Sequence, residues 1–285
     1  MRSAAKKLLE AGTPARWLVR EAAPKLEPAL LRQARQPAAH SRQPAIIFLG
    51  PPGVGKGTYS SRVASSLSVP HISAGDLVRM EINQKSEYGM RVAQIVNAGN
   101  LLPDSLILEL LQNRLAEGAA RGEQGVLLDG FPRTRAQAEA LTHFTDVQLA
   151  VNLSLQDKVL VSKCLGRRIC RKCGKNFNVA DILLPATAEN PEIVLPPLLP
   201  PQQCEQYMET RTDDNIDTIN RRLQVYHQEA APVEQFFRDR GVLLDFEITG
   251  GIPETLPRLI EALRPHGHLL EDDHSQTGRQ GTCSL

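Results

Sequence analysis

The sequence predicts an α/β fold, a parallel sheet with helices on both faces. Three observations carry this. Short apolar, β-branched runs bounded by glycine or turn residues recur along the chain, as in AIIFLG, VLLDGF and LAVNLSL. Such continuous runs suit strands buried on both faces. Helical stretches stand between them, and strands alternating with helices call for parallel pairing through crossovers. The chain has 285 residues, long enough to cover such a sheet on two sides.

The elements follow in order. AIIFLG, closed by Gly50, reads as the first buried strand, and a helix runs from Gly57 to about Leu67. PHISAGDLVRM gives a short strand and then a helix start. VLLDGF (126–131) is a buried strand ending in a turn, and LAVNLSL (149–155) is another, followed by a helix through about Leu165. VLLDFEITG (242–250) is the last strand. TLPRLIEALR (255–264) closes the fold as an amphipathic helix with Leu256, Leu259, Ile260 and Leu263 on one face. Residues 168–210 break the rhythm. They contain Cys-x-x-Cys and the proline-rich LLPATAENPEIVLPPLLPPQQC, which cannot form a core helix. A long irregular stretch inside a compact domain reads as a lid or an insert.

The two ends differ from this pattern. Residues 1–43 carry nine Lys/Arg against three Glu and are rich in Ala and Leu, with an amphipathic basic helix expected early on. That composition is expected of an organelle transit peptide, and the scarcity of serine leans toward mitochondrial over chloroplast import. Residues 266–285 are polar and without periodicity, and read as a disordered tail. The formal net charge of +1 gives no global case for a nucleic-acid or membrane-surface partner. No apolar run approaches the roughly 20 residues that span a bilayer. Five cysteines with one Cys-x-x-Cys do not read as a secreted disulfide framework.

Chemistry starts at Gly50-x-x-x-x-Gly55-Lys56, between a strand and a helix. In that context, glycines without Cβ let successive N–H groups converge on phosphate oxygens, and the following helix adds the positive end of its dipole. This is the P-loop pattern, and Lys56 supplies a charge for the β and γ phosphates. The hydroxyl expected directly after the lysine is displaced, since Gly57 comes first and Thr58 second. This points to a subgroup whose Mg²⁺ is held largely by phosphates and water, with Asp129 at a strand end organising that water.

A second anion site is written elsewhere. DGFPRTRAQAEAL (129–141) puts Arg133 just beyond a strand, where open α/β sheets bind ligands, and Gln137 four residues on. Gln137 offers a donor and an acceptor together, as a base edge requires. Arg79, Arg167, Arg211, Arg221 and Arg222 add guanidinium groups near other element ends. In a nearly neutral chain, that concentration points to dense phosphate charge.

The ordered set GPPGVGKGT, ISAGDLVR, DGFPRTRAQ, GRR and TRTDD resembles the adenylate kinase family of the long-lid type, and LLPPQQC is similar to the lids of plant organellar members. The resemblance covers about residues 44–265. It implies a five-stranded parallel sheet flanked by helices, a helical AMP-binding arm at about 73–102 and an inserted lid at about 167–204. It implies MgATP + AMP ⇌ 2 ADP, carried out by a monomer. On the ATP side it implies Gly53, Val54, Gly55, Lys56, Gly57 and Thr58 at the phosphates. Arg167 would clamp from the lid, with Asn176 and Phe177 beside the adenine and Ile252 near it through a backbone carbonyl. On the AMP side it implies Ala74, Arg79, Asn100, Leu101, Leu102, Gly130, Phe131, Pro132, Arg133 and Gln137. Lys56, Arg133, Arg167, Arg211 and Arg222 would surround the transferring group, with Asp213 and Asp214 orienting the arginines by ion pairing.

This chain departs from the family at several points. Ala74 stands where threonine is frequent, and Asn100 where lysine is common. Four-cysteine lids in relatives bind structural zinc. Here Cys170, Cys173 and Cys204 match three ligand positions, and Pro201 stands at the fourth. Proline cannot coordinate, so the residues favour reduced thiols, or a redox-sensitive Cys170–Cys173 pair, over zinc. Two other readings of the chain stand beside the kinase: a GTP:AMP phosphotransferase and a nucleotide-binding regulator without phosphotransfer.

Overall fold

The computed structural model describes residues 42–83, 87–188 and 191–266. The expected transit peptide and most of the expected tail therefore lie outside the described residues. The central sheet has the order β10-β4-β1-β3-β2, formed by β1 (Gln43–Leu49), β2 (His71–Ser73), β3 (Val126–Asp129), β4 (Thr145–Ser154) and β10 (Leu243–Glu247). All four pairings are parallel. The α/β expectation therefore holds, with β1 in the middle.

Strand periodicity explains how the core divides. Successive side chains of β1 point to opposite faces, so Ile46 and Phe48 join one cluster and Ala45, Ile47 and Leu49 the other. The first cluster is covered by α1 (Lys56–Ser66), α6 (Asp157–Gly166) and α9 (Ile252–Leu263), through residues such as Val63, Leu160 and Leu259. The second is covered by α2 (Ala74–Asn83), α4 (Asp104–Ala120), α5 (Arg135–Leu141) and the C-terminal half of α8 (Ile216–Arg238), through residues such as Val78, Leu111, Leu141 and Phe237. With α3 (Glu87–Asn97), α2 makes the helical arm that follows β2. In α9 the buried face carries Thr255, Leu259 and Leu263, with Leu256 partly buried. Ile260 is 39% exposed and does not belong to that face as the sequence suggested. The helical period sets the angle, and the residues four apart take the core side.

The segment expected to be irregular is built from short strands. β5 (Arg167–Cys170) pairs antiparallel with β6 (Asn176–Asn178) and with β9 (Met208–Glu209). β7 (Ile182–Leu184) and β8 (Ile193–Leu195) form a separate antiparallel ladder, and α7 (Gln202–Glu205) is a single helical turn. The prolines sit between these pieces, where no ladder hydrogen bond is needed. The segment is not a free excursion. Ile193 and Leu195 are buried in the first core cluster, and the Val194 N–H donates to the Thr249 carbonyl at 3.3 Å.

Candidate active site

The carboxyl ends of β1, β2 and β3 open into one cleft of about 1650 Å³, roofed by the short-stranded segment and walled by α2, α3 and α8. Pockets for one drug-sized ligand are about 300–1,000 Å³, so the cleft has room for two nucleotides.

The loop between β1 and α1 makes one end. Gly53 has φ +87°, and a Cβ there would lie 2.7 Å from the Leu160 carbonyl oxygen and 2.8 Å from Cys164 Sγ. Only glycine lets the loop pass so close to α6. The N-cap of α1 is Gly55, with no side-chain cap, so the Lys56 and Gly57 N–H groups remain available to an anion, while the Thr58 N–H donates to the Gly55 carbonyl at 2.9 Å. Lys56 Nζ donates to the Gly50 and Pro51 carbonyls at 2.6 and 2.9 Å. Enclosure by protein lowers its pKa to about 8; Asp129 opposes this shift, while Arg133 and Arg222 add to it. The displaced hydroxyl has a steric reason. A Cβ at Gly57 would lie 3.1 Å from Asp129 Oδ2, so a serine or threonine there would crowd the carboxylate. Thr58 reaches the cleft one residue later. Val54 is fully buried in the core and, unlike Gly53 and Gly55 beside it, does not line the cleft.

Asp129 closes β3, buried, with Oδ2 3.8 Å from His71 Nε2. Burial raises its pKa against the pull of Lys56, His71 and Arg133. A single carboxylate beside a phosphate site fits Mg²⁺ held through water, because Mg²⁺ keeps several waters and takes one or two carboxylates plus substrate phosphates.

At the other end of the cleft, Gly130 has φ +75° and the Phe131–Pro132 bond is cis. Both residues lead to Arg133, whose Nε donates to the Gly130 carbonyl at 2.7 Å. Thr134 Oγ1 accepts from the Gln137 N–H and caps α5. The Gln137 side chain is buried. Its Oε1 accepts from the Arg133 N–H at 2.7 Å, and its Nε2 donates to Asp104 Oδ1 at 2.7 Å. Each amide atom keeps one further hydrogen-bonding capacity, so these bonds fix the side chain without exhausting it. Ala74, Arg79, Asn100, Leu101 and Leu102 line the same end. Arg79 pairs with Asp76, whose pKa falls because the guanidinium outweighs the upward effect of burial.

Four arginines close the middle, where Arg167, Arg211 and Arg222 join Arg133 along the cleft wall. Arg167 forks onto the buried Asp214, with Nε donating to Oδ2 at 2.8 Å and Nη2 to Oδ1. Arg222 Nη1 donates to Asp213 Oδ2 at 2.5 Å. The cap of α8 is Asn215, not either aspartate. Arg211 Nη2 donates to Asn176 Oδ1 at 2.9 Å, while its buried Nε has no hydrogen-bond partner. Burial, then repulsion by Arg167 and Arg79, brings the Arg211 pKa down to about 9. Asn176, Phe177 and Ile252 all line the cleft, although Phe177 is mostly packed into a small lid core with Cys170 and Cys204. Sequence reasoning missed Asp76, Asp104, His71 and Lys163. The first three act through Arg79, Gln137 and Asp129, partners remote in the chain or masked as ordinary helix residues. Lys163 lines the cleft four residues before Arg167, one helical turn away, and burial lowers its pKa.

In the short-stranded segment, the sulfurs of Cys170, Cys173 and Cys204 lie within 4.8 Å of one another, and no fourth His, Cys, Asp or Glu joins them among the described residues. Pro201, the fourth position, caps α7 with its backbone. The set does not fit a closed four-ligand zinc site.

Residues 48–242 match the family model described as adenylate kinase. Adenylate kinase 1, chloroplastic, of Arabidopsis thaliana is 50% identical over 231 residues, 81% of each chain. Probable adenylate kinase 6, chloroplastic, of Oryza sativa subsp. japonica is 50% identical over 229 residues, 80% of each chain. A GTP:AMP phosphotransferase of Plasmodium falciparum is more distant, at 38% over 213 residues, 73% of this chain and 90% of that protein.

Proposed function

The chain belongs to the adenylate kinase family of phosphotransferases, and we propose that its cleft moves the terminal phosphoryl group of MgATP to AMP, giving two ADP. The observation that carries this is one cleft with two anion sites, Lys56 on the α1 loop and Arg79 with Arg133 beyond β2 and β3. A simple nucleotide switch needs only the first.

The residues divide the work by position. The α1 loop and Lys56 bind the ATP phosphates, Arg167 clamps them from the lid, and Asn176, Phe177 and Ile252 stand at the adenine. Arg79, Arg133 and Gln137, with Ala74, Asn100–Leu102 and Gly130–Pro132 around them, hold AMP. Arg211 and Arg222 face the transferring group. Phosphoryl transfer asks mainly for in-line placement and charge neutralisation. Asp129 would hold Mg²⁺ through water when the ion enters with ATP, and the ion would supply further positive charge. The lid, about 167–204 in sequence, excludes water that would otherwise take the phosphoryl group. The arm, about 73–102, brings AMP beneath it. The cleft is complete within one chain, which supports a monomer. GTP as donor is the second reading, favoured only by the name of the more distant relative.

The names of the rice and Arabidopsis relatives, with the basic residues 1–43, support an organellar address and favour the chloroplast over the mitochondrial lean of the serine content. A fluorescent fusion of residues 1–43 that stays cytosolic in leaf cells would contradict this.

The two-site assignment is tested with Arg133→Met. The variant should raise KM for AMP by at least about tenfold while changing KM for ATP little, since each good charged contact to phosphate is worth on the order of 1.5–3 kcal/mol. Equal rises on both sides would count against it.

A further inference from the structure

We propose that the lid thiols form a thiol–disulfide exchange site in which Cys173 and Cys204 join as an intramolecular disulfide. Cys173 Sγ lies 3.8 Å from Cys204 Sγ. A disulfide is about 2.05 Å long, so the sulfurs need to approach by less than about 2 Å. Cys173 can make that movement. It lies in the turn between β5 and β6, and the next residue, Gly174, has φ +71° with open space where a Cβ would stand. The sequence suggested Cys170 with Cys173 instead. In the structure Cys173 Sγ faces Cys204 Sγ, thirty-one positions along the chain, with the buried Cys170 in the same cluster.

Access orders the reaction. Cys173 is exposed, whereas Cys170 and Cys204 are buried. A dissolved disulfide therefore meets Cys173 first. With oxidised glutathione as the oxidant, the Cys173 thiolate attacks one glutathione sulfur. A mixed disulfide forms and one reduced glutathione leaves. The Cys204 thiolate then attacks the Cys173 sulfur, the protein disulfide forms, and a second reduced glutathione leaves. The two protein thiols give up two electrons and two protons, which end on the two glutathione molecules. Pro201 is what frees the trio for this chemistry. A fourth thiol there would close a metal tetrahedron and shield all of the sulfurs.

The bond would fasten the β5–β6 turn to α7 and close the chain segment between them, which includes Asn176, Phe177 and the β7–β8 ladder. The lid would thus stiffen at the end that faces the cleft, since Cys173, Gly174 and Lys175 line it.

The test uses the full chain incubated with oxidised glutathione, followed by thiol counting and non-reducing peptide mass spectrometry. It needs no assumption about substrates, so its failure is separable from failure of the kinase reading. The expected result is loss of two thiols per chain, a crosslink mapping to Cys173–Cys204, and full reversal by dithiothreitol. Cys173→Ser should abolish the crosslink while keeping the parent melting temperature, because the side chain is exposed. Cys283→Ser should leave the crosslink unchanged. Three outcomes would overturn the proposal: a crosslink at Cys170–Cys173, a reaction that stops at the mixed disulfide, or one zinc per purified chain with all three thiols shielded.

Discussion

Lys56 directs two of its N–H donors at carbonyls of its own loop, the Gly50 and Pro51 oxygens. Those carbonyls favour the charged form, but enclosure by protein lowers the Lys56 pKa to about 8 from the usual 10.5. Between those two values the folded chain has released a proton that the unfolded chain retains. A polyphosphate beside Nζ favours the charged form and brings the proton back. ATP binding midway between the two values should therefore take up a large fraction of a proton at Lys56, measured by calorimetry in buffers of different ionisation enthalpy. Lys56→Met should remove the uptake and lower turnover by about 10²-fold or more. An uptake unchanged by the substitution would show that another group is responsible. Much of this was legible in the sequence, since Gly50, Gly55 and Lys56 stand in a spacing that serves one purpose. The reason for Gly57 was not legible. Asp129 is far away in sequence, and only parallel pairing of β1 with β3, with Phe48 opposite Asp129, brings its carboxylate against Gly57.

Strands were easier to read than helices. β1, β3 and the second half of β4 are buried on both faces and carry short apolar runs, while the edge strand β10 is read from its leading Val-Leu-Leu and is only partly buried. α4 and α8 escaped detection although they span 17 and 23 residues. The reason in α8 is physical. Its buried residues are Thr218, Ile219 and Leu223 near one end and Val233, Phe236 and Phe237 near the other. The turns between them face the cleft, so the apolar stripe that marks a helix is interrupted, and Pro232 adds a breaker to the pattern. That interruption is also its function. The first turns of α8 hold Arg222, and the last turns anchor them to the sheet. The lid was misread as irregular for a related reason. Its strands are two to four residues long, too short for a period-two pattern to appear between prolines. What stabilises it is non-local: pairing of β5 with β9 and the seating of Ile193 and Leu195 in the main core.

The sheet, packed on both faces, serves as a floor, and the cleft residues stand at its carboxyl ends. Two apolar clusters, one on each face, fix β1 and β3 side by side and so set the distance between the α1 loop and Arg133. The arginines that bridge the gap come from the lid and α8 and are held by acids, Arg167 by Asp214 and Arg222 by Asp213. Such pairs keep like charges close without a ligand, and the ligand's phosphates then add to the neutralisation. A cleft arranged this way is useful only if two phosphate-bearing substrates meet in it. The most direct test is a coupled assay of ADP formation with purified protein and Mg²⁺, offering ATP or GTP as donor and AMP, GMP, CMP or UMP as acceptor. Two ADP per ATP and AMP consumed, with ATP preferred over GTP and AMP over the other monophosphates, is the predicted result. No phosphotransfer from any pairing would contradict it.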